Sequence, residues 1–324
     1  MTLSFNDVLE AKKMISKNVI KTPLLRVPAL DEVLNCKVYL KPESLQNTGS
    51  FKLRGALNAL MNLSDKEKNR GVVASSSGNH AQGVAYAAKI LGIKAKIIMP
   101  ENANPIKLQS VKDFGAEVVL VDKDPMSREK KVREIVENEG LIEVHPYKNT
   151  FVQAGQGTMV LEILEDNKNI NKIIAPIGGG GLISGVSTAV KNSNRDIEVI
   201  GVEPENLRRY YKAINENKIE KISGETIADG TRNNIADENI LEIIRKNVDN
   251  LTFASDSDIK TAINLLLKVG KIVIEPSSAL VFGAVLNKEI KLDSKYNVCF
   301  VISGGNNDIK LLNEIISEGL NEKL

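Results

Sequence analysis

The feature that most restricts this chain is a strand–turn–helix rhythm repeated along its length. Val72-Val73-Ala74 is a short apolar run ending in Ser75-Ser76-Ser77-Gly78-Asn79-His80, after which Ala81, Val84, Ala85 and Ala88 recur at helical spacing. A strand at Ala95 to Met99 follows, then a helix opening near Pro105, a strand at Val118 to Val121 and a helix over Met126 to Asn138. In the second half, Lys172 to Pro176 leads through Gly178-Gly179-Gly180-Gly181 into a helix from Leu182. Ile197 to Val202 and Val298 to Ile302 read as further buried strands. Ile259, Ala262, Ile263 and Leu266 mark a helix opened by Ser255, with Asp258 three residues on completing a capping pattern. This alternation predicts an α/β chain with parallel sheets and right-handed crossovers. In such sheets ligands bind at the carboxyl ends of the strands.

A chain of 324 residues makes one large or two modest domains. Lys and Arg total 43 against 41 Asp and Glu, so no concentrated basic surface points to nucleic acid. The most basic stretch, Ser127 to Glu134, is broken by Glu129 and reads as a solvated helix face. Cys36 and Cys299 each stand beside apolar residues and read as buried small hydrophobes. With those two cysteines and only His80 and His145, no zinc site is expected. The N-terminus lacks a basic-then-apolar leader and no apolar run reaches membrane-spanning length, so a cytoplasmic protein without membrane partners is expected.

Four clusters carry possible chemistry, each at a strand end or in a turn. Thr48-Gly49-Ser50-Phe51-Lys52-Leu53-Arg54-Gly55-Ala56 holds a lysine between an aromatic ring and a small-residue turn. Such an amine forms Schiff bases once burial depresses its pKa, whereas the plainer reading is a surface lysine opening a helix. Ser75 to His80 offers hydroxyls, an amide and backbone N–H groups to a carboxylate, or simply caps a helix. Gly178 to Gly181 lets the backbone wrap an anion at a helix start. Its spacing matches neither the nucleotide-binding loop nor the dinucleotide fingerprint. Ile302-Ser303-Gly304-Gly305-Asn306 presents a hydroxyl beside two glycines, or a turn with Asn306 as helix cap. Together these supply an amine, a carboxylate cradle, a phosphate cradle and a hydroxyl, the parts needed to hold pyridoxal phosphate and an amino acid.

With these motifs in order, the chain resembles the fold-type II pyridoxal-phosphate enzymes, and within them the serine/threonine dehydratase and serine racemase group. Ala154-Gly155-Gln156-Gly157-Thr158, Thr226-Ile227-Ala228-Asp229-Gly230 and Ile274-Glu275-Pro276 extend the resemblance over nearly the whole chain. It implies a tryptophan synthase β-like α/β fold of two domains, each with a mainly parallel sheet flanked by helices. Residues 1–70 and 147–324 would form the large cofactor-binding domain and 71–146 the small substrate-binding one. It also implies a homodimer and, as the sequence closes at Leu324, no regulatory domain like that of the biosynthetic threonine dehydratases.

The resemblance implies roles for residues. Lys52 would bond covalently to the cofactor aldehyde and act as the catalytic base. Phe51 would pack near the ring, Asn79 would bond the ring hydroxyl, and Ser303 would meet the pyridine nitrogen. Gly178, Gly179, Gly180 and Gly181, with Leu182, would hold the phosphate, and Glu275 and Gly304 would complete the cofactor site. Ser76, Ser77, Gly78, Asn79 and His80 would bind the substrate carboxylate.

The expected reaction is α,β-elimination from L-threonine or L-serine, giving 2-oxobutanoate or pyruvate and ammonium. Ser77 matches a serine that protonates the opposite face of the α-carbon in racemases of the group. Arg128 matches an arginine that meets a second carboxylate in serine racemase and hydroxyaspartate dehydratase relatives. The alternatives are therefore an amino-acid racemase or a threo-3-hydroxyaspartate ammonia-lyase; a non-catalytic phosphate-ligand binding protein is disfavoured by Lys52 in its full motif. The bland reading of Ser77 is carboxylate binding, and of Arg128 an exposed helix residue. Glu203 matches one ligand of the group's divalent-cation site, but Arg209 stands where an aspartate is needed, so no metal is expected there. Tyr147 and Asn233 also depart from the racemase pattern, replacing an asparagine and a serine.

Overall fold

The computed structural model describes residues 3–193 and 196–321. Its strands are β1 (Leu25–Arg26), β2 (Lys37–Pro42), β3 (Val72–Ser75), β4 (Ala95–Pro100), β5 (Glu117–Val121), β6 (Ile142–Glu143), β7 (Lys172–Pro176), β8 (Glu198–Pro204), β9 (Asn250–Ala254) and β10 (Asn297–Ile302). They form two sheets. One has the order β5-β4-β3-β6 and is wholly parallel. The other has the order β1-β2-β10-β7-β8-β9 and is parallel except for β1, which pairs antiparallel with β2. The four-stranded sheet is built entirely from residues between 72 and 143.

The central strands explain their own burial. Ile173, Ile174 and Ala175 of β7 and Val298 to Ile302 of β10 are fully enclosed, as continuous apolar runs covered by helices on both faces must be. Stacked Phe282 and Phe300 rings, 4.6 Å between centroids, join the helix Pro276–Leu286 to β10. The expected Ser255 capping box is present: Ser255 N donates to Asp258 Oδ2 at 2.8 Å, and Asp258 N to Ser255 Oγ at 3.2 Å.

Three helices bring the lysine motif to the centre. The helix Lys52–Met61 packs between the helix Asn79–Leu91 of the four-stranded layer and the helix Thr150–Asp166. Glycine permits this approach: a Cβ on Gly155 would lie 2.5 Å from the Arg54 carbonyl oxygen, and one on Gly83 would lie 3.1 Å from the Lys52 carbonyl carbon. No described helix is long and apolar enough to cross a membrane.

Candidate active site

The ends of β3, β7 and β10 deliver three of the four clusters, and the loop opening the helix Lys52–Met61 delivers the fourth. That loop is stitched to the turn after β10. Phe51 N donates to the Ser303 carbonyl at 3.0 Å, Gly305 N donates to the Gly49 carbonyl at 2.9 Å, and Ser50 bridges Gly304. Gly49 has a φ of +69° and a Cβ there would lie 2.4 Å from Asn306 Oδ1, so only glycine suits it.

Lys52 is half-buried. Its Nζ donates to the Pro146 carbonyl at 3.0 Å and lies 5.1 Å from the Phe51 ring centroid. The same carbonyl oxygen lies 3.5 Å from where a Cβ on Gly181 would be, so residue 146 sits between the amine and the glycine turn. Burial pushes the Lys52 ammonium down to about 8, with the Glu275 carboxylate pulling the other way.

The glycine turn follows β7 and opens the helix Gly181–Lys191. Its first N–H groups have no intrahelical acceptor, which suits an anion. Gly180 has a φ of +95°. A Cβ on Gly178 would lie 2.7 Å from the Gly230 carbonyl oxygen, and one on Gly179 only 2.0 Å from Tyr147 Cδ1. A side chain at either position would collide with these neighbours. Leu182 turns into the core. Beneath the turn lies Arg209, wholly buried. It donates to the carbonyls of Leu207 at 2.7 Å and Ile177 at 3.1 Å, and also to that of Gly178. Its Nη1 lies 3.5 Å from the Glu203 carboxylate. Glu203 also accepts the Tyr210 and Tyr211 N–H groups at 3.2 and 2.9 Å, and burial holds its carboxyl above the usual range. Among the described residues no cluster of His, Cys, Asp and Glu is arranged to hold a metal ion.

Asn79 ties the Ser76–His80 turn to the other sheet. Its Nδ2 donates to both Glu275 carboxylate oxygens, and its Oδ1 accepts Asn306 Nδ2 at 2.8 Å. Asn306 also donates to the Thr48 carbonyl at 2.9 Å and is not the helix cap; Asp308 fills that role for the next helix. Burial raises Glu275 to about 7, helped by nearby Asp229 and opposed by Asn79 and Lys107. Gly78 N donates to Ser76 Oγ at 3.2 Å. His80 points inward, its Nε2 donating to the Val144 carbonyl at 2.7 Å; burial, reinforced by Lys52, pushes it down to about 3.

Ser303, buried at the end of β10, has its Oγ 3.0 Å from Ser278 Oγ. Ser278 also donates to the Gly304 carbonyl and accepts the Gly304 N–H. Ser278 was not legible as a site residue, because it lies 25 positions from Ser303, just beyond the Ile274-Glu275-Pro276 match. The same holds for Lys107, whose Nζ pairs with Asp229 at 2.5 Å across the two sheets. Arg128 lies half-buried on the helix Pro125–Glu139, and its buried Nε has no partner among the described residues.

The donors present fit pyridoxal phosphate. An amine with a depressed pKa, a side-chain-free anion turn and a serine hydroxyl on the turn bonded to Phe51 converge, and the buried Thr48 Oγ1, Ser50 Oγ and His80 Nδ1 have no protein partner.

Comparison with known proteins agrees. Residues 15–304 match a family model described as pyridoxal-phosphate dependent enzyme. An L-threonine ammonia-lyase of Thermotoga maritima is 41% identical over 320 residues, covering 98% of this chain and 79% of that one. Serine racemase from Dictyostelium discoideum superposes with a TM-score of 0.87 at 37% identity, covering 95% of this chain and 100% of that one. A threonine deaminase from T.th. superposes with a TM-score of 0.88 at 38% identity, covering 94% of this chain and 99% of that one.

Proposed function

The chain belongs to the pyridoxal-phosphate dependent enzymes, and from that premise we propose that it is an ammonia-lyase converting L-threonine and L-serine to 2-oxobutanoate and pyruvate. The relatives named threonine ammonia-lyase and threonine deaminase support this reading. The observation that carries it is the Lys52 amine, held by the Pro146 carbonyl beside the glycine turn with its pKa near 8. An amine so placed has a far larger neutral fraction near physiological pH than an ordinary lysine, and that fraction can bond covalently to an aldehyde or take a proton.

In this reading Gly178 to Gly181 and Leu182 take the cofactor phosphate. Phe51 lies against the ring, Asn79 meets the ring hydroxyl, Ser303 meets the ring nitrogen, and Glu275 and Gly304 close the site. When bound, the cofactor supplies an aldehyde for the substrate amine and a conjugated ring that delocalises the electron pair left by the α-proton. Residues 71–146 act as the substrate side, with Ser76 to His80 receiving the α-carboxylate. With the substrate amine held by the cofactor, the free Lys52 Nζ would take the α-proton. The β-hydroxyl would leave as water, in net balance with the α-proton that Lys52 took, and the released enamine would tautomerise to an imine that a second water hydrolyses to a 2-oxo acid and ammonium.

The serine pair sets the electronics. For Ser303 to donate to a ring nitrogen, Ser278 must donate to Ser303, which its second geometry allows. The Gly304 carbonyl that Ser278 then releases keeps its bond from Glu275 N. A hydroxyl cannot hold a pyridinium as a carboxylate does, so the ring stays uncharged and is a weaker electron sink. Prompt loss of the β-hydroxyl is then favoured over a long-lived carbanion. Arg209 occupies the ground beneath the glycine turn, so no divalent cation is required there.

A second reading rests on Ser77, which lies in the carboxylate turn, and on the likeness to a serine racemase. Purified protein is tested with L-serine, L-threonine and L-threo-3-hydroxyaspartate, assaying oxo acid and D-enantiomer. Oxo acid from threonine and serine is expected. D-serine forming faster than pyruvate overturns the lyase assignment, and a cofactor absorbance band that persists in Lys52→Ala overturns the role of Lys52.

A further inference from the structure

We propose that His145 is a positioning residue for the reactive lysine: its unprotonated Nδ1 gathers two backbone N–H groups and so fixes the Pro146 carbonyl that holds Lys52. Tyr147 N donates to His145 Nδ1 at 3.3 Å and Lys148 N donates to it at 3.1 Å. A nitrogen accepting two N–H groups cannot carry a proton, so the ring proton sits on Nε2 and the imidazole is neutral. Pro146 lies inside the turn closed by these bonds. Its carbonyl is aimed outward at Lys52 Nζ, 3.0 Å away.

The segment is held from both sides. His80 Nε2 donates to the Val144 carbonyl at 2.7 Å, and Gln153 Nε2 donates to the Tyr147 carbonyl at 2.8 Å. The Tyr147 ring stands edge-on to His145 at 4.5 Å between centroids. Tyr147 also covers the glycine turn, for a Cβ on Gly181 would lie 3.0 Å from its Cα. One short strap therefore touches the amine on one side and the anion turn on the other, and His145 closes the strap on itself. Burial, with Lys148 and Lys52 acting in the same direction and Asp237 against, pushes His145 down to about 4, so the accepting form persists across the working range.

This inference rests on Lys52 being the reactive amine, which the Lys52→Ala experiment tests separately. Its own test reads the Lys52 amine in the full-length cofactor-free protein. Lysines are competitively acylated with acetic anhydride across pH, and Lys52 is followed by peptide mass spectrometry. The amide oxygen of Asn falls where His Nδ1 lies, whereas that of Gln reaches the Nε2 position. His145→Asn is expected to keep the Lys52 titration of the wild type. His145→Gln and His145→Ala let the strap loosen and water reach the amine, raising its pKa by about one unit, so that labelling near pH 8 falls about fivefold. Equal behaviour of the Asn and Gln variants, or an unchanged Lys52 titration in His145→Ala, overturns the proposal. Circular dichroism checks that each variant is folded. Nitrogen NMR of histidine-labelled wild-type protein needs no substitution: a non-protonated Nδ1 on His145 is expected, and a protonated one overturns the proposal.

Discussion

Asn79 Nδ2 donates to both carboxylate oxygens of Glu275, at 2.8 and 3.1 Å, and so joins the Ser76–His80 turn of the four-stranded layer to the residue that opens the helix Pro276–Leu286. The contact explains why a buried glutamate can stay at this place in either protonation state, since both forms accept from an amide.

It also gives a pH signature. Glu275 is raised from its ordinary value to about 7, so at this site the folded cofactor-free protein binds more protons than the unfolded chain between about 4.5 and 7. Its contribution is fully present below the ordinary carboxylate range and is lost as pH rises through 7, by about 3 kcal/mol at most. His80 and His145 are depressed, so they act oppositely, costing stability as pH falls from about 6.5. The difference between wild type and Glu275→Gln isolates the first effect. Denaturant midpoints should show the variant gaining on the wild type between pH 5 and pH 8; a flat difference contradicts the assignment.

Lys52 is held near 8 instead of its ordinary 10.5. The cofactor-free protein should therefore capture pyridoxal phosphate at a rate that rises with pH and levels off just above 8. Stopped-flow absorbance reads this directly. A rate still climbing at pH 10 means the amine is not desolvated.

The path from residues to site was uneven. The β3, β4, β5, β7 and β8 strands and the Ser255–Asp258 box were legible because each depends on a local period or a three-residue spacing. The glycine turn and the lysine motif were legible because their compositions are unusual for a plain turn. The Val144–Lys148 strap was not, because its meaning lies in contacts with Lys52 and Gly181, which are distant in sequence. Asn306 also looked like a helix cap, a purely local reading. The fold instead uses its amide across 227 positions to Asn79.

Arg209 gives the expected absence of a divalent cation a test. Its guanidinium donates to Ile177, Gly178 and Leu207 carbonyls that would otherwise face one another under the cradle. Activity should survive dialysis against a chelator, and strong loss would reverse the metal assignment. Arg209→Met removes three charge-assisted bonds. Cofactor affinity should fall about tenfold or more, on the scale of roughly 1.5–3 kcal/mol for a bond to a charged group.

Gly179 and Tyr147 should behave as a coupled pair. A Cβ on residue 179 would lie 2.0 Å from Tyr147 Cδ1 and 2.4 Å from Cε1, so Gly179→Ala must displace the ring. A cost of about 1–3 kcal/mol is expected, with weaker cofactor retention. Tyr147→Ala removes the obstacle, and the double variant should be more stable than the two single effects added together. Thermal melts of all four proteins close the cycle, and simple additivity would mean the ring is not the obstacle.

The helix that presents Lys52 is anchored by four buried charges. Arg54 Nε and Nη2 meet Glu43 at 2.7 and 2.8 Å, and Arg54 Nη1 and Nη2 meet Glu162 at 2.7 and 2.8 Å. Lys41 Nζ meets Glu162 at 2.6 Å. Burial opposes the Glu43 charge, yet Arg54 and Lys41 hold its carboxyl below the usual range. Two cations balance two anions, so removing Arg54 leaves an uncompensated carboxylate in the interior. Arg54→Met should cost about 3–5 kcal/mol, against a far smaller cost for an exposed arginine. The arrangement also says which second change repairs it. Glu43→Gln on top of Arg54→Met leaves the Lys41–Glu162 pair intact, whereas Glu162→Gln strands Lys41 from its partner. The first double variant should recover more of the lost denaturation midpoint than the second. Because Arg54 lies two residues beyond Lys52 at the opening of the same helix, cofactor occupancy should follow the same order. Equal recovery by both would show that net charge alone, and not the Lys41–Glu162 contact, sustains the anchor.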